Sequence, residues 1–322
     1  MSNHELPFLS LYAHGFARVS VCVPLVRVAD VPFNVEQTLR LARECHDGGS
    51  ILAVFPELGI TAYSNDDLFQ QDALLDAALE GLRQILVKTK KLRPLLLVGM
   101  PIRFEGKLFN CAVAVHRGRL LGVAPKTYVP GYREYYETRQ FASAGAAIGK
   151  EIEILGSCVP FGNDVLYEAS DLPGFAVHSE ICEDVWVPIP PSTYAAMAGA
   201  TVLASLSASN VTIGKTDYRK ALGSGQSARC LAVYLYTAAG GGESTTDLAW
   251  DGDAHIHENG RLLAEVERFT QEPRVASADV HLAALVQDRM RMTSFVDNTT
   301  EQRQRLAAVR RVPFELGLPT DP

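Results

Sequence analysis

Over Ala17–Val23 (ARVSVCV) apolar residues alternate with small or polar ones and β-branched residues are frequent, the pattern of a strand. The period then changes. In NVEQTLRLARECHDGG, Val35, Leu39 and Ala42 recur on one helical face, Asn34 is the expected N-cap and Gly48 the stop. ILAVFPEL and PLLLVGMPI are short, continuously apolar runs, as strands covered on both faces are. Between them Asp72–Lys90 has helical period. The first third therefore reads β-α-β-α-β.

Hairpins are expected next. NCAVAVHRGRLLGVAPK has two apolar runs around Arg117-Gly118, and EIEILGSCVPF and DVLYEAS flank Gly162-Asn163. GFAVHSEI reads as a strand, TYAAMAGA as a short helix, TVLASLSAS as a strand, DYRKALGSGQSARCLAV as a helix and YLYTAA as a strand. DAHIHENGRLLAEVERF is a hairpin with Asn259-Gly260 at its tight turn, and ADVHLAALVQDRMRM closes with a helix. Two halves that each mix crossovers with hairpins imply mixed sheets covered by helices, an α/β layer architecture. At 322 residues the chain is near the upper end of what one core supports, so it is one large domain or two fused half-size layers. VPFELGLPTDP, rich in Pro and Gly, is expected to carry no further element. The domain is accordingly drawn as residues 1–310, with 311–322 as the start of a linker.

Composition narrows the function classes. Apolar residues make up 47% and charged residues 21%, ordinary for a soluble globular protein. A net charge of −7 and the lack of like-charge blocks argue against nucleic-acid binding. MSNHELPFLSLYAHGF has no basic start or long apolar run of a signal peptide, and no stretch has the apolar length of a membrane span. Six dispersed cysteines without C-x-x-C point to reduced thiols and a cytoplasmic setting.

Three expected strands end on a reactive residue: Glu57 after ILAVFP, Lys126 after LLGVAP and Cys182 after GFAVHSEI. Each alone has an ordinary reading, as a helix cap or surface acid, a solvated loop charge and a core thiol. Sites form outside the carboxyl ends of strands in open α/β sheets, so together they are a candidate nucleophile with a base and a charge partner. Glu180, Glu183 and Asp184 crowd Cys182, and carboxylates raise a thiol pKa. An extended strand would turn Glu183 to the opposite face, and a sharp turn would take Asp184 away. Lys126 would then lower the thiol pKa and Glu57 accept its proton.

FPELGITAYSNDDLF, PKTYVPGYREYYETRQF and SEICEDVW resemble the Glu, Lys and Cys motifs of the nitrilase (carbon–nitrogen hydrolase) superfamily. SLYAHGFARVSVCVP, SASNVTIGK, ESTTDLAWDG and RMRMTSFVDN resemble one branch, the glutaminase domains of glutamine-dependent NAD synthetases. The resemblance implies a four-layer α-β-β-α sandwich with mixed sheets. It implies that Cys182 attacks the side-chain amide of L-glutamine, that Glu57 moves the proton, and that Lys126 with the Glu183 N–H holds the oxyanion. Glu137 would orient Lys126, and Tyr132, Glu183, Ser209 and Lys215 would read the α-amino and α-carboxylate groups. The branch leads one to expect arginine at 215; lysine keeps the charge and loses the bidentate fork. The glutaminase step would need no cofactor, ATP and magnesium belonging to a synthetase domain whose Ser-Gly-Gly-rich loop does not occur in this sequence. That domain, in the same or a separate chain, and a homo-oligomer are the implied partners. A freestanding hydrolase of another small amide and a catalytically quiet assembly module are the alternative readings.

Other signals carry less. IGKT lacks the phosphate-loop glycine, Ser209 standing in its place. GSGQS and Gly240–Gly242 read as turns or close-packed backbone. His255 and His257 share a strand face without a third metal ligand, so no metal site is expected.

Overall fold

The computed structural model describes residues 8–318. The first half contains β1 (Phe16–Val23), α1 (Val31–Asp47), β2 (Leu52–Val54), α2 (Asp72–Lys88), β3 (Leu95–Phe104), β4 (Lys107–His116) and β5 (Arg119–Pro125). A small ribbon, β6 (Glu151–Ile154) and β7 (Ser157–Pro160), leads into β8 (Val165–Ala169), β9 (Ala176–Ile181), α3 (Pro191–Met197), β10 (Val202–Ser207), α4 (Lys215–Cys230) and β11 (Val233–Ala238). The rest is β12 (Ala254–Glu258), β13 (Arg261–Glu265), β14 (Arg274–His281), α5 (Leu282–Arg291), α6 (Thr293–Glu301), α7 (Arg303–Leu306) and β15 (Arg310–Phe314).

One sheet has the order β14-β1-β2-β3-β4-β5, the other β13-β12-β11-β10-β9-β8-β15. Both are mixed: β1, β2 and β3 run parallel while β14, β4 and β5 pair antiparallel, and β9, β10 and β11 run parallel beside antiparallel β8 and β12. The period-2 patterns explain how the sheets stack. On β1, Ala17, Val19, Val21 and Val23 enter the core between the sheets, whereas Cys22 joins Val35, Leu39 and Ala42 of α1 on the outer face. On the other sheet Val202, Ala204 and Leu206 face inward while Leu203 meets Ala195 and Ala196 of α3. The result is the four-layer α-β-β-α sandwich expected from the motifs. Among the described residues no helix is long and apolar enough to cross a membrane.

Four local expectations are corrected. Helix α1 starts at Val31, capped by Asp30, whose carboxylate accepts from Phe33 N at 3.2 Å. Asn34 is a buried residue within the helix, its side chain bonding Arg27 N and O and Ile60 O, which fixes the loop after β1. Gly162-Asn163 does not turn a hairpin. The hairpin lies inside EIEILGSCVPF, where Leu155 and Gly156 take positive φ, and β8 pairs with β9 and β15 instead. The segment before the closing helix is strand β14, antiparallel to β1. Finally, residues 311–318 are not a free linker. Arg310–Phe314 add a parallel edge strand to β8, Leu316 and Leu318 are buried, and Asp171 accepts from Leu316 N and Gly317 N at 2.8 Å. Pro313 obscured this strand, yet an edge position tolerates its missing N–H. Residues 319–322 and 1–7 lie outside the described residues.

Gly99 of β3 lies against the segment that carries Glu57. A Cβ there would stand 2.4 Å from Leu58 N and 2.5 Å from Pro56 O. Gly99→Ala is expected to destabilise the fold by about 1–3 kcal/mol, the usual range for overpacking, read as a lower midpoint in thermal or denaturant unfolding.

Candidate active site

Three chain reversals build the site. After β2 the chain passes Phe55 and Pro56 to Glu57, whose N–H donates to Ser207 O at 3.2 Å, the last residue of β10 in the facing sheet. Leu58 and Ala62 take positive φ (52° and 67°), which turns this segment sharply. Lys126 follows the last residue of β5, its N–H donating to Asn110 O at 2.8 Å. Cys182 follows β9 and opens a short helical turn, Cys182–Val185, with φ of 43°. Positive φ at a non-glycine residue is stored strain of roughly 1–3 kcal/mol, which surrounding contacts must hold.

Asp184 supplies such contacts. Its buried carboxylate accepts from Ile181 N at 3.0 Å, Thr127 N at 3.1 Å and Tyr128 N at 2.9 Å. One side chain thus ties the backbone before the thiol to the backbone after Lys126. The Asp184 carboxylate is turned to these backbone amides. Glu183 differs from expectation: extended geometry stops at Ile181, so Glu183 does not face away but lines the same cleft as Cys182.

Lys126 is fully buried and sits between two carboxylates. Its Nζ donates to Glu57 Oε1 at 2.7 Å and to both oxygens of Glu137 at 2.8 Å. Asn110 Nδ2 also donates to Glu57 Oε1 at 2.6 Å, and Tyr63 OH donates to Glu137 Oε1 at 2.8 Å. Glu57 Oε2 is buried with no partner. That leaves one carboxylate oxygen free to take a proton while the other is anchored.

Burial raises the Glu57 carboxyl to about 7; Lys126 opposes the shift and Glu137 adds to it. Burial alone would lower the Lys126 ammonium, but Glu137 and Glu57 outweigh it and hold its pKa well above the usual value. The Cys182 thiol is pushed up by burial first and by Glu57 and Glu137 next, with Lys126 pulling the other way. The three charges therefore act on the thiol, but the expected net lowering by Lys126 is corrected. Desolvation outweighs one ammonium that two carboxylates already neutralise. The site thus holds a raised Cys182 thiol and a Glu57 carboxyl that titrates near 7.

A cavity of about 90 Å³ opens beside the thiol. Tyr132, Cys182, Glu183, Ser209 and Lys215 all line it, so the residues expected to read a substrate are brought together. Tyr132 OH donates to Glu183 Oε1 at 2.7 Å. Ser209 is buried and its Oγ has no partner. Lys215 donates to Asn210 Oδ1 and lies 5.6 Å and 5.4 Å from the ring centres of Tyr135 and Trp186. A second cavity, of about 50 Å³, borders Glu137 between Tyr63, Tyr136 and Trp250; Cys182 is not among its walls.

Asn110, Tyr63, Tyr135, Trp186, Asn210 and Glu243 were not singled out in the sequence. Glu243 accepts from Tyr63 N at 2.8 Å and Ser64 N at 3.0 Å, which sets the tyrosine against Glu137. Its place in ESTTDLAWDG was the available signal; Asn110, in mid-strand, offered none. His255 and His257 are buried with their rings 4.8 Å apart, and among the described residues no group of three or more metal-binding side chains occurs.

A buried Glu-Lys-Glu set lies near a cysteine at a strand end on an α-β-β-α sandwich, and the chain belongs to the carbon–nitrogen hydrolase family, whose profile matches residues 18–290. It is similar to the glutamine-dependent NAD(+) synthetase of Mycobacterium tuberculosis, 50% identical over 312 residues, 97% of this chain and 46% of that protein. The Aquifex aeolicus protein of the same name is 27% identical over 79% of this chain and 41% of its own length. Among solved structures, the glutamine-dependent NAD(+) synthetase from Cytophaga hutchinsonii superposes with a TM-score of 0.73 at 27% identity, covering 82% of this chain and 43% of that one. A carbon-nitrogen hydrolase from Helicobacter pylori shares the fold, with a TM-score of 0.67 at 17% identity over 88% of this chain and 95% of its own. The chain spans about half the length of the curated relatives named here.

If Glu57 is the base, it must be ionised to work. kcat/KM for an amide substrate is therefore expected to fall as pH drops through about 7. Glu137→Gln removes a neighbouring negative charge that raises Glu57, so a pH–rate profile should show this acid limb at lower pH, whatever the change in maximal rate.

Proposed function

We propose that this chain is the glutamine-hydrolysing unit of a glutamine-dependent NAD synthetase, releasing ammonia from L-glutamine through a Cys182 thioester. The observation that carries the reading is the buried Lys126 ion pair with Glu57 and Glu137 acting on the Cys182 thiol. The relatives' names supply the substrate class.

In the proposed reaction the thiol sulfur attacks the side-chain carbonyl as Glu57 takes its proton. The oxygen becomes an oxyanion that Lys126 Nζ and the Glu183 N–H stabilise. Glu57 returns the proton to the departing nitrogen, ammonia leaves and the acyl group stays on sulfur. Water, deprotonated by Glu57, then releases glutamate. Glu137 keeps Lys126 in place. Lys215 would meet the α-carboxylate, and Ser209 Oγ and the Glu183 carboxylate the α-amino group. This step uses no metal or cofactor; ATP and magnesium would serve a synthetase domain, in the same or a separate chain, that spends the ammonia on amidation of deamido-NAD. We place the reaction in the cytoplasm and in a homo-oligomer.

Cys182→Ala is expected to abolish ammonia release from glutamine while circular dichroism and the unfolding midpoint stay native-like. Full retention of activity would remove the nucleophile. Exposure to diazo-oxo-norleucine followed by peptide mapping should label Cys182 alone. Rapid turnover of simple aliphatic amides with none of glutamine would overturn the substrate. Lys215→Ala is expected to raise KM for glutamine about tenfold or more with a smaller change in kcat, as loss of a charged ground-state contact does.

A further inference from the structure

Cys22 of β1 and Cys45 in the last turn of α1 meet on the outer face of the first sheet. Their sulfurs are 3.4 Å apart and both side chains are buried. Neither takes part in the proposed amide chemistry. Both lie in the apolar cluster that α1 packs on β1, bordered by Ser20, which bonds Ser50 at 2.5 Å and Ser277 at 2.7 Å; Ser277 reaches the surface. A line of hydroxyls therefore runs from solvent to Ser20, which helps to lower Cys45.

The sulfurs are not equivalent. Cys45 is held below the ordinary thiol range by the hydrogen bond from Cys22, against burial, with help from Ser20. Cys22 is pushed well above that range, by burial first and then by Cys45. At 3.4 Å the two sulfurs are in direct contact, and either can donate to the other. Cys182, by contrast, is raised without a thiol neighbour.

We propose that Cys22 and Cys45 form an oxidation site for hydrogen peroxide, closing to a disulfide that staples β1 to α1 while Cys182 stays reduced. The Cys45 thiolate attacks one peroxide oxygen; the O–O bond breaks, sulfur loses two electrons to give a sulfenic acid, and the departing oxygen leaves as water after taking a proton. The Cys22 sulfur then displaces the sulfenic oxygen, forming the S–S bond and releasing a second water with the Cys22 proton. In sum two thiols and one peroxide give one disulfide and two waters.

The test treats the full chain with limiting hydrogen peroxide, alkylates the remaining thiols under denaturing conditions and maps the peptides by mass. The expected result is a Cys22–Cys45 cross-linked species about 2 Da lighter than the two free peptides, restored by dithiothreitol, with Cys182 alkylated. In Cys22→Ser, Cys45 should instead be trapped as a dimedone adduct. The proposal is overturned if both peptides come back as free thiols while Cys158 or Cys182 is oxidised. It is equally overturned if Cys45 in the unmodified sequence accumulates oxygen without the cross-link. Should the serine variant fail to fold, the mapping of the unmodified sequence decides alone.

Discussion

The site depends on one buried ammonium shared by two carboxylates. Removing Lys126, Glu57 and Glu137 from water is expensive, on the order of several kcal/mol for each ion, and only their mutual contacts offset it. Glu57 comes from the end of β2, Lys126 from the end of β5 and Glu137 from the loop beyond, so the three can meet only if those segments converge. Loss of Lys126 would leave both carboxylates without their shared cation in a dry interior. The arrangement therefore constrains the fold as well as the site, and Asn110 and Tyr63 each add a donor to a carboxylate oxygen that the ammonium also contacts.

The same low dielectric explains why the Cys182 thiol is pushed up. A permanently ionised thiol in this pocket would face two carboxylates with a single, already neutralised, cation. In the proposed reaction, keeping the proton until a carbonyl is in place would avoid that repulsion, because negative charge would then build on an oxygen facing donors rather than on sulfur facing acids. Glu57, raised by burial to about 7, would be matched to that proposal, basic enough to accept a proton and acidic enough to return it.

Much of the architecture was legible along the chain because it follows periodicity. The alternation on β1 and the 3.6-residue stripe on α1 report which faces are apolar, and the layers follow from them. The three reactive residues were legible as strand ends. What escaped had no local signature. Whether Gly162-Asn163 makes a hairpin is settled by β15, about 150 residues away, which offers β8 a parallel partner. Asn34 looked like a helix cap because its type suits one, yet Asp30 lies a turn earlier and a buried loop needed the amide. The sign of the thiol shift depended first on how deeply Cys182 is buried and then on which charges surround it, both three-dimensional facts. Asn110 is an ordinary mid-strand residue until Glu57 folds over it.

Asp184 fastens two sheets at their catalytic edge. Lys126 belongs to one sheet and Cys182 to the other, and their spacing would otherwise follow every small shear between layers. With one carboxylate gripping three amides from both sides, such slippage is stopped at the seam. The cavity wall bearing Tyr132, Ser209 and Lys215 can then change its side chains without altering the spacing at the seam, so that the two are separable inheritances.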